Sequence, residues 1–140
     1  MHFCRTVVIR RFEDLVAWQL SRELERQVYA FTETGLVARD VEYCRQIRRS
    51  SSSAPRNLAE GFGRYLPGDA GKFARNALGS LNETQDHLDA GLERRYLTAE
   101  AHRRLKLLAR RATGTSVNWV KYLDSCKQDP HWNSRRRRNT

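Results

Sequence analysis

The chain has 140 residues, 39% of them apolar and 30% charged, with a formal net charge of +10. This length fits one domain with a core that needs no disulfide or metal, and the balance excludes a disordered polyelectrolyte. No apolar run approaches the ~18 residues of a membrane span, and "TVVI" is too short for a secretory signal, so a cytoplasmic protein with no membrane partner is expected.

Four amphipathic segments follow in chain order. In the first, from about Phe12 to Phe31, Ala17, Leu20, Leu24, Val28 and Phe31 recur at helical spacing. Gly35 stands just past its end. The second opens on Asp40, a good N-cap, and carries Cys44, Ile47, Ser51, Ala54, Leu58 and Phe62 on one line. Its "SSSSAPRNLAEGFGR", residues 50–64, has linker composition but keeps the helical period. The reading is a helix with small inward residues that let a neighbour approach closely. Pro55 inside it removes one backbone hydrogen bond and clashes with the carbonyl of Ser51, at ~3 kcal/mol. A kink is expected there, with serine hydroxyls serving freed backbone groups. Gly61, Gly63, Pro67 and Gly68 then predict a loop.

The third segment starts near Asp69, places Phe73, Ala77, Leu81, Thr84 and Leu88 on one face, and closes at Gly91. The fourth is capped by Thr98 and carries Ala101, Leu105, Leu108, Ala112, Thr115, Trp119 and Tyr122, with Leu123 alongside and Gly114 inside it for close packing. Four helices with short loops predict an all-α fold, an antiparallel up-down-up-down four-helix bundle with a kinked second helix. Residues 1–11 read as an N-terminal extension, 12–127 as the bundle, and 128–140, ending in "RRRRNT", as a flexible basic tail.

Little here points to catalysis. "GFGR" lacks the P-loop pattern and follows a helix, not a strand. Ser50–Ser53 have no nucleophile elbow and no companion base, so packing is their reading. Glu83 and His87 are the nearest approach to a bundle metal motif, but no second Glu-x-x-His set accompanies them. Cys4, Cys44 and Cys126 have no metal or disulfide spacing. Neither cofactor nor metal is expected. Asn57 and Glu60 flank the inner stripe of the second helix and Glu83 lies within the third; as buried polar groups they need partners such as Arg64. They read as a structural network, with a ligand site as the alternative.

Basic charge is almost all arginine, with only Lys72, Lys106, Lys121 and Lys127 as lysines. Guanidinium forks match phosphates. Arg45, Arg48, Arg49 and Arg56 lie on the second helix and Arg94 and Arg95 after the third. Arg103, Arg104, Lys106, Arg110 and Arg111 lie on the fourth, where pairs seven apart share a face. Such strips can follow a phosphate backbone; a surface kept charged for solubility is the competing reading. No base-reading module is visible.

"FEDLVAWQLSRELERQVY" (12–29), "QIRRSSSSAPRNLAEGFGR" (46–64) and "LGSLNETQDHLDAG" (78–91) together resemble the four-helix bundle family of the 23S ribosomal RNA intervening-sequence proteins. The likeness covers about Phe12 to Leu123 and is carried most specifically by Pro55, Asn57, Glu60, Gly61, Gly63, Arg64 and Glu83. Ser51, Ser52, Ala54 and Leu58 depart mildly from the family pattern. The resemblance implies a bundle that assembles as a homopentamer and has no enzymatic activity. It also implies a likeness in fold to the accessory variability protein of diversity-generating retroelements, a basic pentamer that binds reverse transcriptase and nucleic acid. The expected function is therefore a non-enzymatic oligomeric scaffold that binds RNA or DNA phosphates through its arginine surfaces. The alternative is a protein-interaction module, accessory to a reverse transcriptase or another nucleic-acid enzyme.

Overall fold

The computed structural model describes residues 9–64 and 66–127. The expectations for most of the N-terminal extension, for Cys4 and for the basic tail lie outside these residues. Within them the chain forms four helices: α1 (Val16–Thr32), α2 (Val41–Phe62), α3 (Pro67–Glu93) and α4 (Ala99–Cys126). Short 3-10 turns at Phe12–Asp14 and Val37–Arg39 lead into α1 and α2. There is no strand among the described residues, and no helix there is long and apolar enough to cross a membrane.

Each helix packs on its two neighbours in the order α1, α2, α3, α4 and back to α1. Contacts pair the start of α2 with the end of α3 and the reverse: Tyr43 meets His87, Ser50 meets Thr84, and Ser53 meets Ser80. On α3 and α4, Asp89 meets His102 while Arg75 meets Asp124. Both pairs are antiparallel, as four- and five-residue connections dictate. Leu24, Val28, Ile47, Leu58, Leu81, Leu88, Leu105 and Leu123 fill the interior, each stabilising by ~1.5–3 kcal/mol relative to exposure. Between them the core is largely alanine.

The caps form as expected. The Asp40 carboxylate accepts from the Tyr43 amide at 3.1 Å, and the Thr98 hydroxyl accepts from the Ala101 amide at 3.1 Å. Gly35 adopts φ +80° in the turn that follows α1. The boundaries around the glycines differ from expectation. Gly61 lies inside α2, and Pro67 and Gly68 open α3, proline being preorganised for the first helical turn. Gly91 does not close α3 either. The helix ends two residues later in a Schellman arrangement: Tyr96 N donates to Gly91 O at 2.8 Å and Arg95 N to Leu92 O at 3.0 Å. Arg95 takes the left-handed position, φ +61°, where glycine is usual.

The inner stripes are rotated from their expected positions at three places. On α1 the buried line is Ala17, Ser21, Leu24, Val28 and Thr32, with Leu20 and Phe31 half-exposed beside it. On α3, Ala70 and Ala74 replace Phe73. On α4, Ser116 and Cys126 join Leu123 on the buried line, and Thr115, Trp119 and Tyr122 lie half-exposed beside it. In each case the smaller side chain faces the interior where helices come close, and the bulky one covers the seam from outside. Alternating steps of three and four also drift around a straight helix by ~20° per heptad.

The helix α2 runs unbroken through Pro55, which is buried. The hydroxyls of Ser50 and Ser51 donate to the carbonyls of Ile47 and Arg48, each at 3.2 Å. Across the α2–α3 seam, Thr84 Oγ1 lies 2.8 Å from Ser50 Oγ, and Ser80 Oγ lies 2.8 Å from Ser53 Oγ. Gly61 and Gly91 mark the two ends of this seam. A Cβ on Gly61 would lie 2.8 Å from Phe73 Cβ, and one on Gly91 would meet the Tyr43 hydroxyl and lie 2.8 Å from Leu97 Cδ2. Gly114, by contrast, is exposed with open space around it, so it does not serve packing within this chain.

Two stability changes follow from this geometry. Gly91→Ala should cost about 1–3 kcal/mol by overpacking against Tyr43, read from the urea midpoint. Arg95→Gly should raise stability by about 0.5–1 kcal/mol by relieving the left-handed strain; an unchanged or lower midpoint would show that the arginine side chain contributes more than its backbone costs.

Candidate nucleic-acid interface

The ten candidate arginines divide among three places. Arg45, Arg48, Arg49 and Arg56 line an open groove of about 1420 Å³ along α2. Tyr29 and Thr32 of α1 flank it on one side and Phe73 of α3 on the other. The half-buried Ser53 and Asn57 lie among these cations, with the buried Ser52 beneath them.

Arg48 is fixed by two contacts with α1. Its Nε donates to Thr32 Oγ1 at 2.8 Å, and its guanidinium stacks 4.9 Å from the Tyr29 ring centroid. Arg45 makes a bidentate pair with Glu42, at 2.9 and 3.2 Å, and Gln46 donates to the same carboxylate. These bonds hold Glu42 below the usual carboxylate range and raise Arg45. Arg49 and Arg56 are exposed and have no ion-pair partner among the described residues. Two arginines of the groove are therefore positioned, and two remain available to an anion.

The strip on α4 is simpler. Arg103, Arg104, Arg110 and Arg111 are exposed and without ion pairs among the described residues. Lys106 leaves that strip: with His102 it turns to Asp89, at 3.1 and 2.8 Å. The bond to His102, then that to Lys106, lowers the Asp89 pKa. Because α2 and α4 occupy diagonal corners of the bundle, the groove and the strip form two surfaces, not one. Arg94 and Arg95 sit at the α3–α4 turn. Arg94 lies 3.8 Å from Asp40 and 5.7 Å from the Tyr43 ring, so it buttresses the start of α2. Arg95 is exposed.

The motif residues form no buried carboxylate network. Glu60 is exposed and pairs with Arg64 at 2.8 Å, and Arg64 lies 4.9 Å from the Phe73 ring centroid. Glu83 is also exposed, 3.4 Å from His87 Nε2. Both project from the outer sides of their helices, where water meets the carboxylate. Asn57 is half-buried and donates to Ser53 O at 2.9 Å and Ser53 Oγ at 3.0 Å. Gly63 ends α2, its amide donating to Glu60 O at 3.2 Å. The buried carboxylate is Glu25 of α1, bonded to Arg22. Sequence reasoning missed it; the signal was its place on the line of Ser21, Val28 and Thr32. No group of His, Cys, Asp and Glu that could hold a metal ion occurs among the described residues.

The model of the 23S rRNA-intervening sequence protein family matches residues 13–115. The chain belongs to that family. The matched span includes the whole groove, the serine seam and the α4 arginines. The fold is also similar to the crystal structure of a protein with unknown function from the S23 ribosomal protein family of Bacteroides thetaiotaomicron. The TM-score is 0.70 at 21% identity, covering 76% of this chain and 96% of that one. A search of curated proteins finds no match. At this identity the likeness establishes the four-helix fold alone, so the roles of the arginines must be argued from their own geometry.

Asp40 gives a pH test of how the basic corner is held. It accepts from the Tyr96 hydroxyl and the Tyr43 amide, and Arg94 lies nearby; in that order these lower its pKa. The unfolded chain, with Asp near 3.9, therefore binds the proton first as pH falls. The stabilisation is present above pH ~4 and is lost below it. Tyr96→Phe should be less stable than the parent at neutral pH by urea unfolding, and the gap should narrow as pH drops below about 4. A gap independent of pH would assign the Tyr96 contribution to packing.

Proposed function

We propose that this chain is a non-enzymatic, homo-oligomeric cytoplasmic scaffold that binds nucleic acid through phosphate contacts. The observation that carries the reading is the α2 groove. It combines four arginines with hydroxyl, amide and aromatic side chains, and Arg49 and Arg56 are free of ion pairs among the described residues. Phosphate oxygens accept from guanidinium and hydroxyl donors alike. The net charge of +10 favours encounter with any polyanion. A pentamer, the assembly the family resemblance implies, would repeat the groove and make weak contacts multivalent. The α4 strip offers a second, flatter contact for phosphates.

Two exposed apolar side chains, Val41 in the groove lining and Leu36 in the α1–α2 connection, favour a second reading. They would suit a protein partner such as a reverse transcriptase or another nucleic-acid enzyme.

Fluorescence anisotropy with labelled RNA and DNA at several salt concentrations separates the two. Phosphate binding requires affinity to fall linearly in log–log form with salt, and Arg49→Glu with Arg56→Glu to reduce the slope by about 2, one for each lost contact. Absence of binding at low salt would leave the arginines as a solubility surface and favour the protein partner.

A further inference from the structure

We infer that the α2 groove accepts a single nucleic-acid strand and discriminates against duplex, an inference that rests on the phosphate-binding reading above. The groove is a recess, with α2 as its floor and side chains of α1 and α3 on its flanks. A duplex is read by an element that protrudes into its major groove, about 12 Å wide, and here the half-buried Ser53 and Asn57 lie between flanking side chains of α1 and α3. Ser53 and Asn57 on the floor can be reached by a flexible strand with splayed bases. A stiff double helix, resting on the rim, meets only the arginine tips.

The size and lining agree. At about 1420 Å³ the recess exceeds the roughly 300–1,000 Å³ of small-molecule sites. From Arg45 to Arg56 the floor runs about 16 Å at the helical rise, which is polymer length. Glu33 lies towards the α2 N-terminal end and Glu60 towards the other, so carboxylates bound the cationic stretch and confine the strand to a few nucleotides. The stacked Arg48–Tyr29 pair, with Tyr29 40% exposed, gives bases a planar surface. Bases stack on aromatic rings and guanidinium planes once they are unpaired.

The test compares one labelled sequence as single strand and as duplex, at equal salt, with the full chain. Two double variants of equal charge change are used: Arg49→Glu with Arg56→Glu in the groove, and Arg104→Glu with Arg111→Glu on α4. A third variant is Tyr29→Leu, and thermal melts confirm that each is folded. The parent should bind the single strand more tightly than the duplex. The groove variant should lose about tenfold more single-strand affinity than the α4 variant. Tyr29→Leu should weaken single-strand binding about fivefold or more and leave duplex binding unchanged. Duplex binding equal to or tighter than single-strand binding would overturn the inference while the phosphate reading stands. Equal losses for both ligands in Tyr29→Leu and the groove variant would do the same. Failure to bind either ligand at low salt would overturn the phosphate reading itself.

Discussion

The close approach of α2 and α3 is the constraint on which the rest of this fold depends. Hydroxyl pairs at 2.8 Å can form between the two helices only where both present side chains as small as serine and threonine. Gly61 and Gly91 extend the same condition to both ends, where any Cβ would collide with the facing helix. Within α2, Ser50 and Ser51 donate to the carbonyls of Ile47 and Arg48 ahead of Pro55, and Asn57 donates to the carbonyl of Ser53. With α2 and α3 drawn together, the leucines of all four helices close the interior from the remaining sides.

The helices and both side-chain N-caps were legible because hydrophobic period and capping chemistry are local. The serine run read correctly as helix for the same reason: its period outweighed its composition. The rotations of the inner stripes were not legible. Whether Leu20 or Ser21 faces the core depends on how near the adjacent helix lies, and that distance is set by side chains far away in the chain. The glycines show the same limit. Gly91 looked like a stop and is a contact, while Gly114 looked like a contact and faces open space. Their place near the stripe predicts Glu60 and Glu83 in the interior, and both reach water. Of the candidate site, the arginines of α2 could be named from their spacing, but their union with Tyr29, Thr32 and Phe73 in one groove is tertiary. The separation of the α4 strip from that groove is tertiary too, and so is the diversion of Lys106 to Asp89.

Placing the cations at diagonal corners has an electrostatic effect of its own. Beyond about 10 Å, roughly a Debye length, pairwise contacts are screened and only the summed charge acts. With positive groups on both sides, a polyanion would be drawn in from either direction, and its orientation would have to be selected at contact range. Selection then falls to shape and to arginines already fixed in place. Arg48 is the best prepared, because Thr32 and Tyr29 hold its plane before any ligand arrives.

The hydroxyl-lined seam also shapes how stability responds to temperature. Unfolding raises heat capacity when apolar surface meets water and lowers it when polar surface does. A contact between α2 and α3 made of serine, threonine, glycine and alanine exposes less hydrocarbon than a leucine seam of equal length. Its share of the unfolding heat capacity is correspondingly small, which flattens the free-energy curve on both sides of its maximum.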